Sequence, residues 1–174
     1  RLSILDKYNL VSFSDPHSSN PWRLGREATV FDCDLTYKNI IKAIRTGEGL
    51  VSTIETYPEY GKYHEDGHRN CNVHFNYKES KENNGICPKC KTPLTIGVEY
   101  RIEELADRKE PKNVQKYEKL IPLTELIASV YNIKLLGSKK IWEVYNILIK
   151  NFSTEYNILI NVSEEELIKI INPK

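Results

Sequence analysis

Hydrophobic and polar positions in the first third of the chain predict two strands separated by one helix. Residues 9–14 and 50–54 are short apolar stretches of the length that buried strands have. Between them, isoleucines recur at helical spacing in a predicted helix that begins at Asp34 or Thr36 and runs to about Arg45. This order of elements predicts a mixed α/β fold for the first part of the chain.

The middle of the chain has a different pattern, because residues 60–97 show no helical period. Two short alternating segments, at 71–75 and 94–98, fit the hairpins of a small metal-binding module. A helix is predicted over residues 101–107, and the polar stretch 108–119 predicts a linker.

Beyond this predicted linker the pattern is helical. Apolar residues at 123–130 and again at 141–149 form a stripe along one face of each predicted helix. Ser163 followed by Glu166 has the capping-box pattern ahead of a third apolar stripe. We therefore expect a helical region at the end of the chain.

Composition places the chain among soluble globular proteins. Hydrophobic residues make up 40% and charged residues 28% of the 174 positions, and the formal net charge of +1 argues against a strongly basic nucleic-acid binder. The sequence contains neither a signal-peptide pattern nor an apolar run long enough to span a bilayer, so we expect a cytoplasmic protein. Methionine is absent, which suggests part of a longer protein.

Two pairs of potential metal ligands are the most specific feature of the sequence. His68 and Cys71 form one X-x2-X pair, Cys87 and Cys90 form another, and 15 residues separate them. This spacing is that of a zinc ribbon, in which each pair forms a tight knuckle and two knuckles complete a tetrahedron around one ion. A site with three Cys and one His has no open position, so its expected role is structural.

Other assignments of these residues stay open at the level of sequence. His64 and His74 are rival fourth ligands, although neither has the knuckle spacing. Cys71 would otherwise be a buried apolar thiol and His68 a surface histidine. Cys33 has no partner in the pattern and is interpreted as a core or helix-start thiol.

A second candidate site follows the first predicted strand. Asp15 and His17 lie two residues apart, and both side chains could reach a metal ion in the mouth of a barrel. The triplet Asp-x-His is common by chance, and the alternative is a loop turn in which Asp15 accepts a backbone N–H.

Several stretches of the chain resemble a known family in collinear order. Ser14-Asp15-Pro16-His17 resembles the final metal-binding motif of the PHP (polymerase and histidinol phosphatase) domain. Five further stretches resemble endonuclease Q and its bacterial relatives, and these are residues 24–29, 61–69, 101–108, 121–125 and 138–140.

The resemblance implies a protein of three parts, with the C-terminal part of a PHP-like β/α barrel at 1–59, a zinc-ribbon module at 60–108 and a helical subdomain at 109–174. It implies a DNA repair endonuclease that nicks on the 5′ side of deaminated bases (uracil, hypoxanthine) or abasic sites. Asp15 and His17 would then be ligands of divalent metal ions that activate a water, and the damaged base would be flipped out of the stack.

The chain departs from the family pattern at its beginning. A PHP site starts with a His-x-His pair and draws further ligands from several strands, whereas only 14 residues precede Asp15. We expect that the chain alone does not catalyse. The missing N-terminal half of the barrel would come from a longer gene product or from a separate subunit.

Six residues are candidates for contacts with damaged DNA, and they are Arg23, Arg26, His64, Arg69, Lys139 and Lys140. Arginines bind phosphates bidentately, and the two lysines follow Ser138 at the predicted start of a long helix. His64 is proposed for the pocket of a flipped base on the resemblance alone. The arginines could instead be structural salt-bridge partners, and the lysines could be solvated residues beside an ordinary helix cap.

Two other functions remain open. The first is a zinc-ribbon module that binds nucleic acid or protein and catalyses nothing. The second is a PHP phosphatase for a small phosphate ester, which would need neither a ribbon nor a helical tail.

Overall fold

A computed structural model describes residues 1–61, 63–112 and 114–171. Lys62 in the family-like stretch 61–69, Asn113 in the predicted linker and the last three residues of the helical region lie outside the described residues. The described strands are β1 (Ala28–Phe31), β2 (Leu50–Glu55), β3 (Asp66–His68), β4 (Val73–Phe75) and β5 (Tyr117–Lys119). The described helices are α1 (Tyr37–Thr46), α2 (Tyr77–Glu82), α3 (Val98–Leu105), α4 (Leu123–Val130), α5 (Lys139–Phe152), α6 (Glu155–Ile160) and α7 (Glu164–Ile171).

A three-stranded sheet with the order β1-β2-β5 organises the first part of the fold. Strands β1 and β2 are antiparallel, with Ala28 opposite Ile54, and β2 and β5 are parallel, with Thr53 opposite Tyr117. Residues 56–116 therefore leave the sheet after β2 and return to it beside the same strand. The mixed α/β class predicted from the sequence is confirmed.

The predicted strand at 9–14 is wrong. This segment runs beside β1, but it is held by scattered bonds: the Ser12 N–H donates to Thr29 Oγ1 at 2.9 Å, and the Ser14 N–H donates to the Glu27 carbonyl at 3.0 Å. These bonds fix the segment without a regular ladder, because the serine and threonine hydroxyls take part in place of backbone groups.

The predicted linker at 108–119 is also partly wrong, because β5 lies within it. Its pairing with β2 is completed by the Thr53 N–H, which donates to the Lys116 carbonyl at 3.1 Å. A polar strand of three residues with a distant partner gives no periodic signal in the sequence.

Helix α1 begins and ends where local signals predict. Thr36 is the N-cap and accepts from the Asn39 N–H at 3.2 Å, and Gly47 ends the helix in the left-handed conformation with φ +80°. Strand β2 then follows at nearly the predicted residues.

The middle segment consists of small elements with little core. Strands β3 and β4 form a hairpin, and isolated bridges join Gly67 to Thr95 and Ile86 to Pro93. In place of the strand predicted at 94–98, Thr95 forms only an isolated bridge, and α3 begins at Val98. Among the residues that the structure describes, the buried hydrophobic cluster of this segment consists of Val73, Cys87 and Leu94.

Helices α4 to α7 form the larger hydrophobic core. Its buried residues are Leu123, Ile127, Ala128, Ile141, Val144, Leu148 and Ile158. The predicted capping box is confirmed, because the Ser163 N–H donates to the Glu166 carboxylate at 2.9 Å and the Glu166 N–H donates back to the Ser163 hydroxyl at 3.4 Å. None of the helices in the described residues combines the length and apolarity that crossing a membrane requires.

Candidate metal centre and nucleic-acid interface

The structure brings together the four residues that the knuckle spacing selects. The ligand atoms of His68, Cys71, Cys87 and Cys90 all lie within 4.8 Å of one another. His68 Nδ1 is 3.2 Å from Cys90 Sγ, and Cys87 is fully buried. The rival histidines, His64 and His74, are not part of this group.

Local backbone geometry explains why these residues converge. His68 ends β3, and a 3-10 turn at Arg69–Cys71 carries the chain around to Asn72, which is left-handed at φ +49°. In the second knuckle the Lys91 N–H donates to the Cys87 carbonyl at 2.8 Å, which closes a tight turn. Each pair of ligands therefore sits on one turn of backbone.

The thiols of the cluster are shifted in opposite directions, because a hydrogen bond with Cys90 and burial raise the pKa of Cys71 to about 11, whereas the pKa of Cys90 is lowered. The Thr92 hydroxyl lies 3.0 Å from Cys90 Sγ, and hydrogen bonds from Thr92 lower the pKa of Cys90 to about 6. Lys89 donates to the Cys71 carbonyl at 2.8 Å and brings a positive charge to the same turn. Three sulfurs and one imidazole at these separations fit the donor set and size of a tetrahedral zinc site.

The second candidate site is an open cavity of about 600 Å³. Asp15, His17, Arg23 and Arg26 all line it, so four residues that the sequence analysis singled out separately meet at one surface. The Asp15 and His17 side chains are 95% and 88% exposed, and their Oδ2 and Nε2 atoms are 4.0 Å apart. His17 Nδ1 lies 2.8 Å from the Asp15 carbonyl, which orients the imidazole.

Arg26 is largely buried, in contrast to the exposed Arg23. Its Nη2 lies 3.5 Å from Glu125 Oε1 on α4, and its guanidinium carbon lies 5.8 Å from the centre of the Tyr60 ring. Burial raises the pKa of Tyr60, and the nearby Glu125 carboxylate raises it further. Arg26 therefore forms an ion pair with Glu125 and also lines the cavity.

The remaining candidates for DNA contacts do not line this cavity. Arg69 is exposed and His64 is half-buried. Lys139 lies 3.8 Å from Glu143, and the Lys140 ammonium lies 5.2 Å from the centre of the Tyr131 ring.

The start of α5 nevertheless approaches the cavity through an aromatic contact. The ring of Trp22, which lines the cavity, lies 6.1 Å from the ring of Trp142, and a Cβ at Gly137 would be 3.3 Å from it. Ser138 is the N-cap residue of α5, as predicted, but its side chain makes no capping hydrogen bond.

Trp22 and Glu27 also line the cavity, although the sequence analysis did not predict them as site residues. The Glu27 carboxylate accepts from the Thr56 hydroxyl at 2.9 Å, and its backbone bonds to Ser14 immediately before Asp15. Both residues lie in the stretch 14–27, which contains all residues that line the cavity, and neither carries a spacing signal.

Comparison with known proteins identifies a matching family model and a similar sequence. Residues 122–174 match the family model of the MJ0043 C-terminal domain. The uncharacterized protein MJ0043 of Methanocaldococcus jannaschii is 36% identical over 94% of this chain, and the chain covers 22% of that protein.

Two solved structures have the same fold. The crystal structure of the lesion-specific endonuclease PfuEndoQ from Pyrococcus furiosus matches 97% of this chain with a TM-score of 0.82 and 33% identity, and the chain covers 43% of it. A structure of endonuclease Q in complex with a 27-mer duplex, which has an abasic lesion at the active site, matches 92% of this chain with a TM-score of 0.74 and 34% identity, and the chain covers 41% of it. The chain thus spans less than half the length of the solved proteins that it matches. In fold and in sequence, along nearly its whole length, the chain is similar to the endonuclease Q-like family.

Proposed function

We propose that this chain is part of a metal-dependent DNA repair endonuclease that nicks on the 5′ side of deaminated bases (uracil, hypoxanthine) or abasic sites. The likeness to two endonuclease Q structures over 97% and 92% of the chain carries this proposal. The cavity supports it, because it combines a carboxylate and an imidazole with two arginines. Cleavage of a phosphodiester uses both kinds of group, metal ligands and phosphate ligands.

In this proposal residues 1–59 are the C-terminal part of a PHP-like barrel. Asp15 and His17 would hold a divalent metal ion, which supplies an activated water when it is bound. Two exposed side chains are too few to hold such an ion alone, so the rest of the barrel must provide further ligands. The missing half is then a partner of this chain, either in the same polypeptide or as a separate subunit.

Residues 60–108 are proposed as a zinc-ribbon module with a structural ion at His68, Cys71, Cys87 and Cys90. In the described part of this module the buried hydrophobic cluster has three members, Val73, Cys87 and Leu94, and so small an apolar core is the usual reason for a structural metal. His64 and Arg69 lie close in sequence to His68, so this module is proposed to present them to the damaged base.

Residues 109–174 are proposed as a helical subdomain that helps hold DNA through Lys139 and Lys140. Strand β5 belongs to this segment but pairs with β2, so the two parts share one sheet. Together with Arg23 and Arg26, the lysines would contact backbone phosphates, which position DNA without reading its sequence.

A nicking assay tests the proposal. The substrate is an end-labelled duplex with one deoxyuridine, one deoxyinosine or one abasic site, in the presence of Mg²⁺ or Mn²⁺. We expect cleavage 5′ of the lesion when the complete barrel is supplied, and none by this chain alone. Lesion-specific nicking by the isolated chain would disprove the assignment of an incomplete site. No nicking in either case would disprove the endonuclease.

The alternative is a non-catalytic zinc-ribbon module that binds nucleic acid or protein. It is favoured by one observation, that the metal cluster and its supporting hydrogen bonds all lie within residues 66–95. Salt-dependent DNA binding without preference for a lesion, together with no nicking by the complete protein, would support this alternative.

A further inference from the structure

The turn between α4 and α5, residues 131–138, carries an exposed leucine close to the candidate cavity. We propose that this residue, Leu135, is a wedge, an apolar side chain that enters the base stack where the damaged nucleotide has left it. The inference rests on the proposed function, because it takes lesion-bearing duplex DNA as the ligand. It adds the residue that fills the gap, whereas the proposed function assigns phosphate contacts and a pocket for the flipped base.

Leu135 is exposed although the turn around it is anchored. It is 71% exposed, whereas its neighbours Ile133 and Leu136 pack against the core of the helical region. The Ile133 N–H donates to the Ala128 carbonyl at 2.8 Å, and the Ser138 N–H donates to the Leu135 carbonyl at 3.0 Å. The backbone on both sides of Leu135 is therefore fixed, so placing its side chain in a base stack costs little further ordering.

The turn lies beside the cavity that contains the proposed metal ligands. A Cβ at Gly137 would be 3.3 Å from the Trp22 ring, and Trp22 lines that cavity together with Asp15 and His17. Two residues of chain span at most about 7 Å, which bounds the distance between the backbones of Leu135 and Gly137. Successive nucleotides of one strand are about 3.4 Å apart along the duplex axis. The wedge and the metal ligands therefore face the same few nucleotides, as a nick next to the lesion requires.

The charge of the turn complements DNA. Segment 131–142 has no acidic residue and three exposed lysines, which are Lys134, Lys139 and Lys140. Lys134 is next to Leu135 in sequence and is not among the DNA contacts of the proposed function. Cations on both sides of an apolar side chain suit a base step between two backbone phosphates. Lysine is depleted in protein–protein interfaces, so a DNA duplex fits this turn better than a second protein surface does.

A wedge favours damaged DNA because the gap exists only where a nucleotide has been extruded. Extrusion breaks base stacking, and it costs least at a damaged or mismatched base. A leucine side chain that enters the gap buries its own apolar area and contacts the neighbouring bases. In an intact stack there is no gap, so Leu135 stays in water. Its contribution therefore adds to the affinity for lesions and not to the affinity for intact duplex.

The test uses 2-aminopurine, a base analogue whose fluorescence is quenched by stacking. It is placed next to a deoxyuridine, on the 5′ side in one duplex and on the 3′ side in another, and thymidine replaces deoxyuridine in the intact controls. We expect the chain at saturation to raise the emission in a deoxyuridine duplex, and Leu135→Ala to lose most of this rise. Leu135→Ala should also weaken binding of that duplex about tenfold relative to the intact control. Leu135→Met should retain both properties, because methionine has a similar apolar volume.

Intrinsic fluorescence shows whether DNA binds at this place. The two tryptophans of the chain, Trp22 and Trp142, lie 6.1 Å apart, and Trp22 is the one that Gly137 approaches. Bound duplex should therefore change the tryptophan emission of the wild type and of Leu135→Ala alike. Duplex binding without such a change would place the DNA elsewhere and would disprove the wedge.

Leu35→Ala is the matched control. Leu35 is 90% exposed and follows β1, whereas the cavity residue Glu27 precedes that strand, so the same change is made at the other end of β1. It should alter neither emission nor affinity. Lys134→Gln tests the charge separately, and it should reduce the slope of log K against log salt by about one without changing the preference for deoxyuridine. Leu135→Ala should leave this slope unchanged, because it removes no charge.

The outcomes distinguish this inference from the proposed function. If duplex binds and the 2-aminopurine emission does not rise, or rises equally in Leu135→Ala, the wedge is wrong and DNA binding stands. If Leu135→Ala and Leu35→Ala lose affinity equally, the loss is not specific to the turn and the wedge is also wrong. If the rise is lost in Leu135→Ala alone, the wedge stands whatever the nicking assay shows. If no duplex binds at all, both the wedge and the DNA-holding function are wrong.

Discussion

Substituting Cys87 by alanine should release one metal ion per chain and unfold the segment around β3 and β4. Cys87 is fully buried against Val73 and Leu94, which are the two other buried members of its cluster. If Cys87 were only an apolar core residue, losing its sulfur would cost roughly 1 kcal/mol, the value for about one buried methylene group. A zinc ligand should cost far more.

The expected magnitude follows from zinc sites of this size. Structural zinc contributes about 10–16 kcal/mol of apparent binding free energy, or roughly 3 kcal/mol for each of four ligands. This corresponds to a fall in metal affinity of about a hundredfold or more. Because so few residues are buried here, the lost metal energy cannot be replaced by the core.

The assay combines metal content with hydrogen exchange. Zinc is measured in the purified wild type, in Cys87→Ala and in Cys33→Ala, whose half-buried thiol lies outside the cluster. Exchange is followed at the amides of Gly67 and Leu94, which bond across the segment to Thr95 and Gly85. One zinc per chain retained in Cys87→Ala, or equal loss in both variants, would refute the four-ligand assignment.

Three further changes test other parts of the molecule. The Glu155 carboxylate accepts from the Leu123 N–H at 2.7 Å and from the Tyr145 hydroxyl at 2.9 Å. Glu155→Ala should therefore lower the free energy of unfolding, measured in urea melts, by about 1–3 kcal/mol. A change below about 0.5 kcal/mol would contradict a stabilising role of these two hydrogen bonds. Gly97→Ala places a methyl group 2.5 Å from the backbone of the preceding loop and should cost about 1–3 kcal/mol; a melting temperature equal to wild type would mean that this contact relaxes freely. His64→Gln should weaken binding of lesion-bearing duplex and leave zinc content unchanged, and unchanged lesion preference would remove this residue from the proposed pocket.

Local signals in the sequence were sufficient for elements whose ends are fixed by their own residues. Helix α1 begins at the Thr36 cap and ends at a left-handed Gly47, and both follow from residue type and position. The convergence of His68, Cys71, Cys87 and Cys90 was predictable for the same reason, because knuckle spacing constrains each pair of potential ligands directly.

The wrong predictions concern elements whose structure depends on contacts with residues far away in the sequence. Leu10 and Phe13 suggested a buried strand at 9–14, but they are 51% and 62% exposed in the described structure, so their apolar character does not reflect burial here. Strand β5 was missed because three polar residues become a strand only through pairing with β2. The ion pair of Arg26 with Glu125 is a further example, since these two residues meet across about a hundred residues of sequence.

The position of the metal cluster in the topology leads to a last prediction. Residues 56–116 connect two neighbouring parallel strands, β2 and β5, so the cluster lies within a crossover whose ends are held by one sheet. The end of this crossover is also tied to the beginning of the chain by the ion pairs of Arg1 with Glu103 and of Arg108 with Asp6.

A chelator should therefore loosen the interior of the crossover without releasing its ends. The sheet retains its own ladder, and the seven buried residues of the helical core do not depend on the cluster. Hydrogen exchange after removal of zinc should increase at Gly67 and Leu94 and remain slow in β2 and α5. Binding through Arg26 should persist in the same sample, while any lesion preference that depends on His64 should be lost. Cooperative loss of protection in β2 and α5 would show that the metal stabilises the whole chain, and the metal-binding segment would then not be a separate module.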